Sequence, residues 1–212
     1  MRVTLKSFAP PPSALSVAVL ALALCLAPNI VSAADTDPAA GQIESFDSAL
    51  IATMKAGESL GVKGRMRKLE PAVEHAFNLP AMAQYAVGPA WAKFSDADKA
   101  AVIEAFKRYS VASYASNFSS FSGEVFTVDP KVEERGPDKL VRTRLVTAHH
   151  APVDIVYRMR LSGGSWKIID IFYQGSISQL TTRRSDFAAT VNSGGASALV
   201  AHLNALTEKL TK

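Results

Sequence analysis

The sequence predicts an α+β fold in which a curved, four-stranded antiparallel sheet is preceded and followed by helices. Apolar residues recur at spacings of three and four up to about residue 121, and between residues 124 and 173 the period changes to two. Helical spacing then returns and continues to the end of the chain. Strands grouped in one run and flanked by helices are typical of a layered fold rather than of alternating parallel βα units.

The first residues have the pattern of a secretory signal peptide. A basic start and an apolar run from Leu15 to Leu26, too short to span a bilayer, are followed by small residues. We therefore expect residues 1–33 to be a signal peptide that is cleaved near Ala33. The remainder, residues 34–212, has a suitable length for a single domain.

Composition narrows the chemistry that is open to the mature chain. Cys25 is the only cysteine, and it follows Leu24 where a lipoprotein signal has Gly or Ala, so we expect it to be removed with the signal peptide. Disulfides, thiolate metal sites and cysteine nucleophiles are then excluded. Loss of Arg2 and Lys6 reduces 23 basic residues to 21, against 19 acidic ones, and no block of Lys or Arg predicts nucleic-acid binding.

The helices before the sheet begin at capping residues. Asp37 precedes Pro38, Asn78 opens a later helix, and Ser95 with Asp98 has the spacing of a capping box. The first of these helices has one apolar face, formed by Ile43, Phe46, Leu50 and Met54.

The helix predicted after Ser95 carries two apolar stripes about 120° apart around its axis. The first consists of Val102, Phe106 and Tyr109, and the second of Val111, Tyr114, Phe118 and Phe121. Two interpretations remain open. The helix is either packed between apolar partners on both sides, or it has one side on a core and the other on a cavity.

Four segments alternate with a period of two and predict the strands: EVFTVD, KLVRTRLVTA, PVDIVYRMRL and SWKIIDIFY. Their connections are short enough for an antiparallel meander. In the last strand both faces carry apolar residues, with Trp166, Ile168, Asp170 and Phe172 predicted on one face and Ile169, Ile171 and Tyr173 on the other. After the sheet, helical spacing resumes and is broken at Gly194 and Gly195.

No catalytic or metal-binding set is predicted. His149 and His150 are adjacent in a turn, where neighbouring side chains point apart, and no acidic residue stands at a metal-ligand spacing. The other two histidines are isolated in helices. GGASA around Ser197 follows a helix rather than the strand that a nucleophile elbow requires. We therefore expect neither a metal nor a cofactor.

Asp170 is the best candidate for catalysis. A carboxylate on a buried strand would have a raised pKa, as a general base needs, and small α+β folds with a curved sheet host such isomerases. The alternative is structural: Asp170 accepts hydrogen bonds from neighbouring backbone or from Arg183 or Arg184 and anchors the last strand. The absence of a second titratable group in register favours the anchor.

Two long stretches resemble a known family. They are FNLPAMAQYAVGPAWAKFSDADKAAVIEAFKRYSVASYASNF and VYRMRLSGGSWKIIDIFYQGSISQLTTRRSDFAATVNSGGASALVAHLNAL, which are similar to the soluble periplasmic component (MlaC) of the maintenance-of-lipid-asymmetry and toluene-tolerance ABC transport systems. The family pattern falls on Phe77, Met82, Gly88, Trp91, Tyr157, Trp166, Lys167, Asp170, Gly175, Ser178, Arg184, Phe187 and Gly194. One departure is Gln174, where the wider family often has Glu.

The stretch from ISQLTTRRSDF onward is closer still to the hopanoid-biosynthesis-associated branch of this family, HpnM. The resemblance implies a fold of the kind found in nuclear transport factor 2 (NTF2-like), with a lipid cavity between sheet and helices. It also implies a periplasmic, non-enzymatic carrier of hopanoid or phospholipid. Its partners would be an inner-membrane ABC or RND-type transporter and an outer-membrane lipid complex, and we expect a monomer. An isomerase or hydratase on the same fold, with Asp170 as general base, is the alternative.

The residues predicted to line the lipid cavity are the large apolar and aromatic ones of the two-striped helix and of the apolar sheet face. Tyrosines suit such a cavity because the ring contacts the lipid while the hydroxyl reaches water. The predicted set is Met82, Tyr85, Phe106, Tyr109, Tyr114, Phe118, Val146, Ile155, Tyr157, Ile168 and Phe172.

Overall fold

The computed structural model of the protein describes residues 36–147 and 151–212. In this part of the chain, helices precede and follow one antiparallel sheet that has both long and short strands. The predicted signal peptide with Cys25, and the turn containing His149 and His150, lie outside the described residues. None of the helices described is both long enough and apolar enough to cross a bilayer.

Four α-helices form the first half of the described chain: α1 (Pro38–Lys55), α2 (Gly61–Ala76), α3 (Leu79–Val87) and α4 (Asp96–Asn117). Short 3-10 turns at Glu58–Leu60 and Gly88–Lys93 connect them. The predicted caps are confirmed. Asp37 accepts a hydrogen bond from the Ala39 amide, Asn78 accepts one from the Ala81 amide, and Ser95 and Asp98 form a reciprocal capping box.

The sheet has six strands rather than the four that were predicted. They are β1 (Val125–Val128), β2 (Glu133–Arg135), β3 (Asp138–Val146), β4 (Val153–Ser162), β5 (Ser165–Tyr173) and β6 (Ile177–Ser178). The four longest form the predicted antiparallel meander, in the order β1, β3, β4, β5. The additional strands are two and three residues long, pair with β5 and β3 respectively, and are too short for alternation to reveal them.

A β-bulge in β5 overturns the predicted faces of that strand. Arg158 pairs with Asp170 and Met159 pairs with Ile168, so Ile169 has no partner residue on β4. The extra residue shifts the alternation, and Ile168 and Ile171 therefore lie on the same face of the sheet. Simple alternation had placed them on opposite faces.

The chain ends in the long helix α5 (Gln179–Thr211), which is interrupted where the sequence predicts a break. Gly195 has φ 62° and ψ −146°, which is outside the helical region and is a conformation that favours glycine. At Gly194 an added Cβ would lie 2.5 Å from the Cβ of Ala198. The kink therefore depends on two adjacent glycines for two different reasons.

The core lies between the helices and one face of the sheet. Its largest fully buried side chains include Phe46 on α1, Phe106 on α4 and Phe187 on α5, together with Met159 and Ile168 from the sheet. Helix α4 has buried residues on one side and borders a cavity on the other, which agrees with the second of the two interpretations of its stripes.

Candidate functional site: a pocket between sheet and helices

A pocket of about 340 Å³ lies between the sheet and helices α3, α4 and α5. Most of its wall is aromatic or aliphatic. It is lined by Phe77, Met82, Phe106, Ser110, Ser113, Tyr114, Asn117, Phe118, Leu145, Val153, Ile155, Tyr157, Ile171, Tyr173, Gln179, Leu180 and Arg183. The wall can cover an apolar molecule on several sides.

The structure brings six of the eleven predicted cavity residues into this wall: Met82, Phe106, Tyr114, Phe118, Ile155 and Tyr157. That these side chains bind a lipid stays a prediction. They come from one short helix, one long helix and one strand, so the cavity depends on how α3 and α4 pack over β4.

The other five predicted residues, Tyr85, Tyr109, Val146, Ile168 and Phe172, are not part of the wall. Tyr85 and Val146 are exposed, and Ile168 is fully buried in the core. Tyr109 lies beside the pocket, where Arg183 donates a hydrogen bond to its hydroxyl. Phe172 alternates with Ile171 and Tyr173 and so lies on the opposite face of β5.

Sequence reasoning missed the polar residues of the wall, although α4 carries a signal for them. Ser110, Ser113 and Asn117 follow Phe106 at spacings of four, three and four, which places all four side chains on one face of the helix. An apolar stripe continued by small polar residues indicates a helix face that borders a cavity rather than a core. On β5, Ile171 and Tyr173 were concealed by the bulge.

Arg183 is the cationic side chain in the pocket wall. Its guanidinium carbon lies 4.5 Å from the centre of the Tyr109 ring. Within the described part of the chain, no carboxylate is within ion-pair distance of Arg183. Asn117 and Tyr173 are the exposed residues of the same wall, and we call the region of these two residues and Arg183 the mouth of the pocket.

An aromatic cluster forms the inner end of the pocket. The Tyr114 ring lies 5.2 Å from Phe46 and 5.9 Å from Phe118, and Phe46 contacts Phe77 at 5.1 Å between ring centres. The two contacts of Phe46 are edge-to-face and the Tyr114–Phe118 pair is stacked, and aromatic pairs of both kinds add to the free energy of burying the rings. Burial raises the pKa of Tyr114 and of Tyr157, so both hydroxyls stay protonated at neutral pH.

Asp170 is a structural anchor. Its Oδ1 accepts hydrogen bonds from the Ile171 amide at 2.8 Å and the Leu180 amide at 3.1 Å, and its Oδ2 accepts one from the Ser178 hydroxyl at 2.7 Å. These contacts hold the end of β5 to the start of α5. Donors of this kind were expected, but Arg183 and Arg184 are not among them, and nothing in the arrangement supports a general base.

Several residues of the quoted family pattern also form framework contacts. Lys167 donates a hydrogen bond to the carbonyl of His75, which ties β5 to the end of α2. Arg184 packs over Tyr85 and so close to Gly88 that a Cβ there would lie 3.0 Å from its Nε atom. Gly88 has φ 72°, which also favours glycine. These residues position α3 and α5 around the pocket rather than line it.

A second buried carboxylate, Asp47 on α1, was not singled out from the sequence. It is 4% exposed, and neither of its oxygens has a hydrogen-bond partner. Burial, and to a smaller extent the negative charge of Glu44, raise the pKa of Asp47 from 3.8 to about 7. Asp47 also borders an open groove of about 660 Å³ between α1 and β1. Its sequence signal is its position, four residues after Ile43 and next to Phe46, which places it on the apolar face.

Metal ligands are not assembled in this part of the molecule. Within residues 36–147 and 151–212, no three His, Cys, Asp or Glu side chains come together in a way that could hold a metal ion.

Comparison with known proteins agrees with this geometry. The phospholipid-binding protein from Ralstonia solanacearum, solved in complex with a phospholipid, has a similar fold, with a TM-score of 0.72 and 20% sequence identity over 83% of this chain and 100% of that one. No curated protein matches the sequence. The family model described as MlaC protein matches residues 44–205. Since this match spans most of its length, the chain belongs to the MlaC family.

Proposed function

We propose that this protein is a periplasmic lipid carrier that holds one lipid in the pocket between sheet and helices. The lipid is a phospholipid or a hopanoid, and the carrier passes it between an inner-membrane ABC or RND-type transporter and an outer-membrane lipid complex. The observation that carries the proposal is the largely apolar pocket of about 340 Å³, in a chain of the MlaC family.

Pocket size and wall chemistry support lipid as the ligand. Small-molecule sites have volumes of roughly 300–1,000 Å³, and this pocket is at the lower end of that range. Burying several hundred Å² of apolar lipid surface at about 25 cal/mol per Å² stabilises the complex by on the order of 10 kcal/mol. That is sufficient to hold a lipid in water without any covalent or metal contact.

The mouth of the pocket supports an anionic lipid headgroup. Arg183 is partly buried, borders the pocket and has no carboxylate partner in the described chain. A guanidinium binds phosphate or carboxylate oxygens through charge-assisted hydrogen bonds. We therefore infer that the acyl chains of a phospholipid enter the apolar wall while its phosphate pairs with Arg183.

The predicted export of the protein also supports this function, and that prediction comes from the sequence alone. The pattern of residues 1–33 favours cleavage near Ala33 and release of residues 34–212 into the periplasm. The resemblance of the C-terminal stretch to the HpnM branch favours hopanoid among the possible cargoes. The fold comparison favours phospholipid, since the Ralstonia protein was solved with one.

Blocking the pocket tests the carrier function. Ile155 lines the pocket on β4, and Leu161 is on the same strand but 56% exposed and outside the pocket. Ile155→Trp places a large ring in the cavity, and Leu161→Trp adds the same ring at the surface. We expect Ile155→Trp to lower uptake of phospholipid from fluorescent phosphatidylglycerol vesicles at least tenfold, whereas Leu161→Trp retains it.

The assay needs a folding control, because overpacking costs about 1–3 kcal/mol. Circular dichroism and thermal unfolding of both variants show whether the loss of uptake is caused by unfolding. If folded Ile155→Trp takes up phospholipid as the wild type does, the pocket is not the lipid site.

A further inference from the structure

A groove separate from the lipid pocket runs between helix α1 and strand β1. It has a volume of about 660 Å³ and shares no lining residue with the pocket. Its helical side is one face of α1 between Glu44 and Lys55, and its other side runs from Glu124 to Val128. The α1 face is about 16 Å long, which matches about five residues of extended chain. The groove therefore has the dimensions of a site for a short peptide segment.

Strand β1 has an open edge beside this groove. It pairs only with β3, and the amide of the next residue, Asp129, donates a hydrogen bond to the carbonyl of Arg142 on β3. Because hydrogen-bonded and non-hydrogen-bonded pairs alternate along an antiparallel ladder, Phe126 and Val128 direct their N–H and C=O groups away from β3. Within the described chain, no other backbone group bonds to these atoms. The edge can therefore accept a further strand.

Apart from being short, β1 lacks the features that usually protect an exposed edge. Natural edge strands carry Lys, Pro or a bulge that discourages pairing with another chain. The sequence of β1 is VFTV, its pairing with β3 is regular, and Val125 is 54% exposed. An unprotected edge of this kind can bind an extended peptide by β-strand addition.

The groove is acidic. Its lining has three carboxylates, from Glu44, Asp47 and Glu124. None of them forms an ion pair with a described Lys, Arg or His. Lys55, at one end of the lining, lies instead over the Phe121 ring, 4.9 Å from its centre. Charge complementarity therefore favours a positively charged occupant.

Asp47 is an independent reason to expect a ligand in the groove. It is 4% exposed, and both of its carboxyl oxygens lack a hydrogen-bond partner in the described protein, whereas most buried side-chain oxygens have one. Burial without a compensating cation raises its pKa to about 7. A guanidinium would supply the missing partner, because it donates to both oxygens of a carboxylate at once and carries the opposite charge.

We propose that the groove between α1 and β1 binds an extended segment of a partner protein that carries an arginine. The segment adds to the free edge of β1 at Phe126 and Val128, and every second side chain of the segment then faces α1. The arginine occupies one of those positions and pairs with Asp47. This inference goes beyond lipid carriage, because the groove is separate from the pocket and needs no lipid.

A matched pair of peptides tests the proposal. Both are short, blocked peptides of alternating threonine and valine, one with a central arginine and one with citrulline, which has nearly the same shape but no charge. Fluorescence anisotropy measures their affinities. We expect the arginine peptide to bind the wild type about tenfold more tightly, because hydrogen bonds between charged groups are stronger than neutral ones. Its binding should also slow hydrogen exchange at the amides of Phe126 and Val128.

Variants separate the charge from the strand edge. Asp47→Asn keeps the shape of the side chain and removes its charge, so the preference for arginine over citrulline should disappear. Val128→Pro removes an outward N–H on an edge strand, where proline is tolerated, and should weaken both peptides about 3- to 10-fold. Asp186→Asn is the matched control, because Asp186 is an exposed aspartate on α5 outside the groove, and it keeps wild-type binding.

The outcomes distinguish this site from the carrier function. All three variants should take up phosphatidylglycerol as the wild type does, since none of the substituted residues lines the pocket. If the wild type binds neither peptide, or binds both equally, the groove is not a site for a basic segment. An arginine preference that persists in folded Asp47→Asn also overturns the assignment. Failure of the wild type to take up lipid would contradict the carrier function and not this site.

Discussion

Asp170 and Asp47 are both buried carboxylates, but their surroundings are opposite. Asp170, 8% exposed, accepts three hydrogen bonds that join β5 to α5. Asp47 is buried more deeply and accepts none. The first is satisfied by its own chain, which makes it part of the framework. The second is not, which makes it a place where the molecule has free hydrogen-bonding capacity for something else.

The two carboxylates show that burial in an apolar element does not by itself mark an acidic residue as catalytic. Asp170 stands out in the sequence because it interrupts an apolar strand, and this attracts a catalytic interpretation. Its satisfied oxygens leave no capacity for chemistry. Asp47 is inconspicuous among the polar residues of an amphipathic helix, yet its burial raises its pKa strongly.

The largest expected effect is loss of the satisfied carboxylate. Asp170→Ala leaves two amides and one hydroxyl without their acceptor near the start of α5, and we expect it to lower the free energy of unfolding by about 4 kcal/mol. Urea denaturation measures this as a lower midpoint at an unchanged slope. Asp170→Asn, which keeps one acceptor oxygen, should lose less. A midpoint equal to the wild type in Asp170→Ala would contradict the anchor role.

The next effect is a pH dependence that comes from Asp47. Its pKa is about 7 in the folded protein and 3.8 ordinarily, so the folded state holds the proton more tightly. The stabilisation of the folded state by this tighter proton binding is complete below pH 3.8 and is lost as the pH rises to about 7, by on the order of 4 kcal/mol.

The measurement is the difference in unfolding free energy between wild type and Asp47→Leu across this range, since other titrating groups largely cancel. We expect Asp47→Leu to gain relative stability as the pH rises. A difference that is independent of pH would show that the carboxyl is solvated.

A smaller effect separates the free-energy cost of the unpaired Asp47 carboxyl oxygens from the cost of their charge. At the acidic end of that range the Asp47 carboxyl is neutral but still without a partner, and Asp47→Leu should stabilise the protein by about 1–2 kcal/mol. Thermal unfolding at low pH measures it. Destabilisation of similar size would indicate that a partner, such as water from the neighbouring groove, was lost.

The smallest effect belongs to a carboxylate in water. Asp154 pairs with Arg144 at 3.0 Å, with both side chains more than half exposed. Because exposed ion pairs contribute little, Asp154→Asn should change the unfolding free energy by no more than about 0.5 kcal/mol. A loss comparable to that of Asp170→Ala would mean that burial and hydrogen bonding do not determine how much each carboxylate contributes to the free energy of unfolding.

Local chemistry predicted most of the secondary structure. The caps at Asp37, Asn78 and Ser95, the four long strands and the break at Gly194 and Gly195 all depend on residues that act within a few positions of themselves. Strands β2 and β6 escaped because they are short, and their pairing is decided by partners distant in sequence.

The pocket was only partly predictable, because its wall also depends on contacts between residues that are distant in sequence. Met82, Phe106, Tyr114, Phe118, Ile155 and Tyr157 were identified because large apolar residues on a cavity face are also periodic. The unpaired Ile169 in the bulge changed which side chains of β5 lie on the same face of the sheet. Arg183 lines the pocket because of how α5 packs, which the sequence pattern does not show. The isolation of Asp47 is a tertiary property, since no pattern shows that a carboxylate lacks a partner.

Mass spectrometry of bound lipid is the most direct test of the carrier function. The full chain, with its predicted signal peptide, would be expressed in the native host, purified without detergent and extracted with organic solvent, alongside Ile155→Trp and Leu161→Trp. We expect a phospholipid or hopanoid in near-stoichiometric amount from wild type and Leu161→Trp, and little from Ile155→Trp. A lipid-free extract from all three, from protein that also takes up no added phospholipid or hopanoid, would contradict it.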